Sequence, residues 1–250
     1  MTSEDRITRE AWEEILKFPI EFVSGKDIRV LMYFREFHNV LKFNEPKKIL
    51  SIIEKQMADD NGISFILTSS SINAFRSILE DGLSGKNTDK ISFLPLEEKA
   101  VVDAITKGFL RVGRVAEQNQ AVRIYELLDG HPWYIWQLAD LTFNRTKGYL
   151  NDAIIDESMH SLLSLHDVRF RDIMSNLSNF QIQYLHAIFD GKARTCNREM
   201  IRLYHLNSAA NVHRLREALA KKEVVSFDEQ DFPYIIDPLF KIWLGKYYFK

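Results

Sequence analysis

The chain has 250 residues, 46% of them hydrophobic, and a formal net charge of −2. That is ample apolar material for one large domain or two to three small ones, and it excludes a global field pulling the chain toward nucleic acid or anionic lipid. A single cysteine, Cys196, excludes an intrachain disulfide and any multi-cysteine metal site. The N-terminal stretch Met1-Thr2-Ser3-Glu4-Asp5-Arg6 is polar and acidic, and no run approaches the ~20 apolar residues of a membrane span. A soluble cytoplasmic protein without membrane contact is expected.

In chain order, Trp12, Ile15 and Leu16 fall on one face of an opening helix capped by Thr8, and Pro19 and Gly25 punctuate the stretch leading to the first strand. Residues 28–34 predict a strand of β-branched and aromatic residues with no polar alternation, as in a parallel strand covered on both faces. Ile49, Leu50, Ile53 and Met57 place a helix over 46–58, and Asn61-Gly62 a turn. A second buried strand, 63–67, ends in Thr68-Ser69-Ser70-Ser71, with Ser71 as the cap of a helix to about residue 80. A polar loop (82–89) and a short strand (90–93) come next. Strand, helix, strand in this order is a βαβ crossover in a parallel sheet.

From 96 to about 165 the pattern is helical, broken by Gly113 and by Asp129-Gly130-His131-Pro132. There, Asp129 or Gly130 caps a helix with Pro132 at its first position, and Trp133, Ile135, Trp136 and Leu138 enter a core. Beyond Arg169, helices are predicted at 180–189, at 197–205 behind the cap Asn197, and through Lys222 behind Asn207 or Ser208 as the cap. A hairpin (224–227 with 234–236) and a last helix opened by Asp237-Pro238 complete a winged helix-turn-helix pattern.

Several stretches carry a family resemblance. Tyr33-Phe34-Arg35-Glu36-Phe37-His38 is similar to the strand end that supplies the acidic residues of a P-loop ATPase. Phe65-Ile66-Leu67-Thr68-Ser69-Ser70 resembles a strand ending in a polar sensor, and Gly130-His131-Pro132-Trp133-Tyr134-Ile135 the Gly-x-Pro motif of a helical lid. Ser208-Ala209-Ala210-Asn211-Val212 and Asp237-Pro238-Leu239-Phe240-Lys241-Ile242-Trp243 resemble a C-terminal winged helix. In order and spacing, from residue 27 onward, the chain resembles the archaeal-type ATPases, a branch of the AAA+/STAND P-loop proteins. The resemblance implies part of a P-loop α/β core with a parallel sheet (1–95), an all-α lid (96–168) and a winged-helix domain (169–250). It implies ATP and Mg²⁺ as cofactors, with Glu36 polarising the attacking water, Thr68, Ser69 and Ser70 sensing the γ-phosphate, and Pro132 beside the adenine.

Two departures qualify that expectation. No Gly-x₄-Gly-Lys-Ser/Thr loop occurs; Ser24-Gly25-Lys26-Asp27 has the Gly-Lys pair without the upstream glycine or the following hydroxyl. Arg35 stands where the resemblance implies an Mg²⁺-holding acid, and a guanidinium repels a cation; it can instead pair with a phosphate. The expectation is therefore an N-terminally truncated or degenerate ATPase-family protein without autonomous hydrolysis. The alternative is a non-enzymatic regulator or scaffold whose winged helix binds DNA or a protein partner, or which self-associates through the truncated core. On the 208–222 helix, Asn211, Arg214 and Arg216 are the candidate base readers. Glu217, Glu223 and the acidic wing (Asp228, Glu229, Asp231) oppose phosphate contact, so DNA is not favoured. The seven histidines are dispersed, with no zinc-type spacing, so no metal site is expected.

Overall fold

A computed structural model describes residues 9–58, 62–81, 83, 88–91, 95–194 and 196–249. They fall into two units, Met1–Ile91 and Ser92–Lys250.

In the first unit, helix α1 (Arg9–Val23) buries Trp12, Leu16 and Val23 along one arc. Pro19 was expected to lie beyond a shorter helix, but it is inside α1 and buried. An interior proline costs about 3 kcal/mol of helix propensity, and burial of its ring on the apolar arc offsets part of that. The helix closes at Gly25, whose φ of 72° suits glycine. Strand β1 (Val30–Phe34) pairs in parallel with β2 (Ile63–Leu67), Val30 opposite Ile63 and Phe34 opposite Leu67. Helix α2 (Pro46–Ala58) makes the crossover, and α3 (Ile72–Asp81) comes after β2. Met32, Phe34, Phe65 and Leu67 pack on a core that includes Trp12, Leu16, Phe37, Ile49, Ile53 and Ile78.

Both strands alternate along their length instead of being covered on both faces. Leu31 is 60% and Tyr33 59% exposed, and Ser64 and Ile66 are also exposed. A five-residue apolar run has the same composition whether one or both of its faces are covered, so the expectation failed on this point. Lys90 and Ile91 are not in a strand. The cap Thr8, the turn residue Asn61 and residues 92–93 of the expected third strand lie outside the described residues.

The second unit contains α4 (Glu98–Leu110), α5 (Gln118–Glu126), α6 (Pro132–Arg145) and α7 (Asp152–Ser175), a 24-residue helix. Next come α8 (Asn179–Phe189), α9 (Arg198–Leu203), α10 (Ala209–Lys221), the antiparallel hairpin β3 (Val225–Phe227) and β4 (Pro233–Ile235), and α11 (Pro238–Trp243) running into a π-helical turn (Leu244–Tyr248). Asn151, Ser178, Asn197, Ser208 and Asp237 each cap the following helix by accepting a backbone N–H. One continuous core runs from Val101 to Leu244, so α4–α7 and the winged helix share their buried side chains. Val212, Leu215 and Leu219 are buried along one face of α10. No described helix is long and apolar enough to cross a membrane.

Candidate functional site

At the C-terminal edge of the β1–β2 sheet, where open α/β sheets place their ligands, two polar strand ends meet. Glu36 leaves β1 with φ 54° and ψ 45°, a left-handed turn that starts the 3₁₀ segment Phe37–Lys42. Its Oε2 accepts the Ser70 hydroxyl at 2.7 Å and the Ser70 N–H at 3.1 Å, with His38 Nδ1 at 3.3 Å. Ser69 Oγ is 2.9 Å from His38 Nδ1 and accepts the Ser71 N–H, and Tyr33 and Thr68 hydroxyls are 3.2 Å apart. The Ser70 hydroxyl and N–H lower the Glu36 pKa below its ordinary value, with smaller help from His38 and Arg35. Arg35 is exposed, with no ion-pair partner among the described residues.

Arg35, Glu36, Thr68 and Ser69 are thus brought together. Ser70, expected beside Thr68 and Ser69, is also the main Glu36 partner, and the residues missed were Tyr33 and His38. His38 had the signal of lying two residues past Glu36. The donor set does not fit a divalent cation: Arg35 is itself a cation, and Glu36 Oε2 already accepts the Ser70 hydroxyl and N–H. Among the described residues no group of three or more His, Cys, Asp or Glu side chains could hold a metal. Gly25-Lys26 closes a helix, whereas a phosphate loop opens one, and Lys26 lies over the Phe22 ring at 4.2 Å.

Pro132 belongs to the second unit, at the first position of α6. The cap of that helix is His131, not Asp129 or Gly130: its Nδ1 accepts the Tyr134 N–H at 3.5 Å. Asp129 and Gly130 both take left-handed φ values, 50° and 71°, which turn the chain into α6. A Cβ on Gly130 would stand 2.7 Å from Pro95 Cβ and 2.8 Å from the Tyr125 hydroxyl, so only glycine fits. Ile135 and Leu138 are buried as expected. Trp133 and Trp136 are not core residues, being 66% and 46% exposed, because they sit on α6 well round from the Ile135–Leu138 stripe.

These two indoles line an open cleft of about 910 Å³ with Pro132, His131, Tyr234, Pro238, Arg194 and Lys241. Arg194 lies 5.5 Å from the Phe232 ring, and neither Arg194 nor Lys241 has an ion-pair partner among the described residues. Burial lowers the His131 pKa below its ordinary value of 6.5, so its ring is neutral at pH 7. Behind the cleft, the Tyr134 hydroxyl donates to Asp237 Oδ2 at 2.8 Å, and Arg169 donates to both the Tyr134 hydroxyl and Asp237. This cluster ties α6, α7 and the cap of α11 together. A flat heterocycle could stack on the indoles, with an anionic group reaching the two cations.

The candidate base readers are placed differently from one another. The Asn211 amide donates to Leu206 O at 2.9 Å, and Arg216 pairs with Asp231 at 2.7 Å over the Phe227 ring. Arg214 is exposed, without an ion-pair partner among the described residues.

Helices α8–α10 with the β3–β4 wing define a winged-helix domain, and residues 168–246 match the family model described as "Probable winged helix domain". Among solved structures, the chain is similar to a Walker-type ATPase of Pyrococcus abyssi, with a TM-score of 0.68 and 18% identity over 95% of this chain and 67% of that chain. At that identity the likeness is one of fold. No curated protein matches the sequence.

Proposed function

We propose that this chain is an ATPase-like protein of the archaeal/STAND type that binds an adenine nucleotide without hydrolysing it on its own. The observation that carries the reading is the aromatic cleft beside Pro132. Its volume suits a small ligand, its two exposed indoles suit a base, and Arg194 and Lys241 suit phosphate. The strand-end cluster supports the absence of turnover. A carboxylate already accepting from Ser70, with its pKa lowered, is a weak general base. Arg35 in the position of a metal-holding acid repels Mg²⁺, and the 250 residues contain no Gly-x₄-Gly-Lys-Ser/Thr loop to fix phosphates.

The test is thermal unfolding of the purified chain with ATP in EDTA and again with excess Mg²⁺. A ligand at 100 times its Kd stabilises by about 2.7 kcal/mol, so a clear rise in Tm is expected, of similar size under both conditions. No rise at several millimolar ATP contradicts nucleotide binding. A rise confined to Mg²⁺ contradicts the metal-independent site.

The second reading is a winged-helix scaffold that binds a protein partner or DNA. Its supporting observation is a basic hollow of about 580 Å³ lined by Arg198, Arg202 and His205 at the start of α10. Commitment of Asn211 to Leu206 and of Arg216 to Asp231 weighs against DNA reading by that helix.

A further inference from the structure

We propose that copies of this chain associate head to tail, the outer stripe of α1 on one copy packing on the open β1–β2 face of the next. The open face carries Leu31, Tyr33 and Ile66, all exposed, in the register that places Tyr33 opposite Ile66. Parallel sheets are stable with both faces covered, normally by helices, so this face calls for a helical cover. Arg29 and Arg35, one residue beyond each end of β1, continue the same alternation and are exposed. Neither has an ion-pair partner among the described residues. The face is apolar at its centre and basic at both ends.

Helix α1 presents the complement. Its apolar arc is wider than the core it covers: beyond buried Trp12 and Leu16 it exposes Ile15, Phe18 and Phe22, with Phe18 69% exposed. Phe18 and Phe22 stack with ring centroids 6.1 Å apart. At 100° per residue, Glu14 and Glu21 border this stripe on the side away from the core. Both are exposed and lack ion-pair partners among the described residues. Lys26 lies over the Phe22 ring at the C-terminal end of the stripe, so two carboxylates outweigh one ammonium there, and a net acidic aromatic helix faces a basic apolar sheet, the arrangement that selects partner and register across an interface.

The two surfaces cannot close on each other within one copy. Helix α1 already packs on the covered side of the sheet, where Trp12 meets Phe34 at 6.0 Å between ring centroids. The contact is therefore between copies and heterologous, continuing into a ring or a short chain.

The experiment is light scattering on the full chain over a concentration series. The mass of the unmodified chain is expected to rise above one chain as concentration increases. Arg29→Glu with Arg35→Glu, and separately Glu14→Lys with Glu21→Lys, are each expected to stay at one-chain mass. An equimolar mixture of the two variants is expected to associate again, because every contact then joins opposite charges. Should a reversal lower the helical circular dichroism, the neutral pairs Arg29→Gln with Arg35→Gln and Glu14→Gln with Glu21→Gln replace it. Each is expected to weaken association by roughly twofold to thirtyfold, the range for two exposed ion pairs. One-chain mass at every concentration overturns the proposal. So does association that the substitutions leave intact, or a mixture of folded reversal variants that does not recover.

Discussion

Replacing Asp237 isolates what joins α6, α7 and the winged helix. Its Oδ1 accepts the Phe240 N–H at 3.0 Å as the cap of α11, and its Oδ2 accepts from Tyr134 and Arg169. Loss of a cap costs about 1 kcal/mol, and loss of the half-buried Tyr134 hydrogen bond about 1 kcal/mol more. The Arg169 side chain is 51% exposed, so solvent screening reduces its pairing to roughly 0.5 kcal/mol. Asp237→Ala is therefore expected to cost about 2–3 kcal/mol, or roughly 5–10 °C in Tm for a unit of this size. Asp237→Asn keeps an acceptor for Phe240 or Tyr134 and loses the charge, so it is expected to cost under about 1 kcal/mol. Urea unfolding monitored by circular dichroism, with calorimetry for Tm, measures both. An alanine variant within about 0.5 kcal/mol of the unmodified chain refutes the reasoning. An asparagine variant as unstable as the alanine one also refutes it, because charge would then outweigh cap and hydrogen bond.

Gly130→Ala puts a Cβ into Pro95 and the Tyr125 hydroxyl at a left-handed φ, and is expected to destabilise by about 2–3 kcal/mol in urea unfolding, whereas Gly113→Ala, with open space around it, is expected to cost about 1 kcal/mol. Ser70→Ala removes the largest cause of the lowered Glu36 pKa, and carboxyl titration by NMR should show that pKa rise toward its ordinary value of 4.5. Because the folded value lies below the unfolded one, Glu36 favours the folded state above pH 4.5, and that contribution is lost as pH falls through the folded pKa. His131 and His166 are both lowered from 6.5 by burial. The unfolded chain then binds more protons just below pH 6.5, so stability is expected to fall as pH drops from 7 through that range, and a His131→Asn, His166→Gln chain should show a flatter profile by urea unfolding.

Much of the fold was legible because it rests on local rules. Asn197 and Asp237-Pro238 announce helix starts by side-chain chemistry and cap where expected, and of the two candidates Asn207 and Ser208 it is Ser208 that caps α10. The core stripe of α10 comes from helical spacing. The failures share a cause, which is that composition does not reveal which neighbours cover a face. The run 30–34 reads as buried on both sides, yet only Val30, Met32 and Phe34 turn toward the covered side. Trp133 and Trp136 read as core residues for the same reason, and their exposure is what makes the cleft. Arg194 and Lys241 had no signal in the sequence, because the turn after α8 and the helix α11 bring them to the cleft only through the tertiary fold. The Glu36–Ser70 contact joins residues 34 apart, and the βαβ reading places their strands side by side without specifying which serine meets the carboxylate.

The most direct test of the central claim is an ATP titration read by tryptophan emission, with phosphate release measured in the same tube. Trp12 and Trp243 are buried, so a change on binding in the cleft reports Trp133 and Trp136. A saturable change that Trp133→Ala with Trp136→Ala abolishes is expected, with no phosphate release above buffer. Unchanged emission up to several millimolar ATP, or steady hydrolysis by the chain alone, would contradict it.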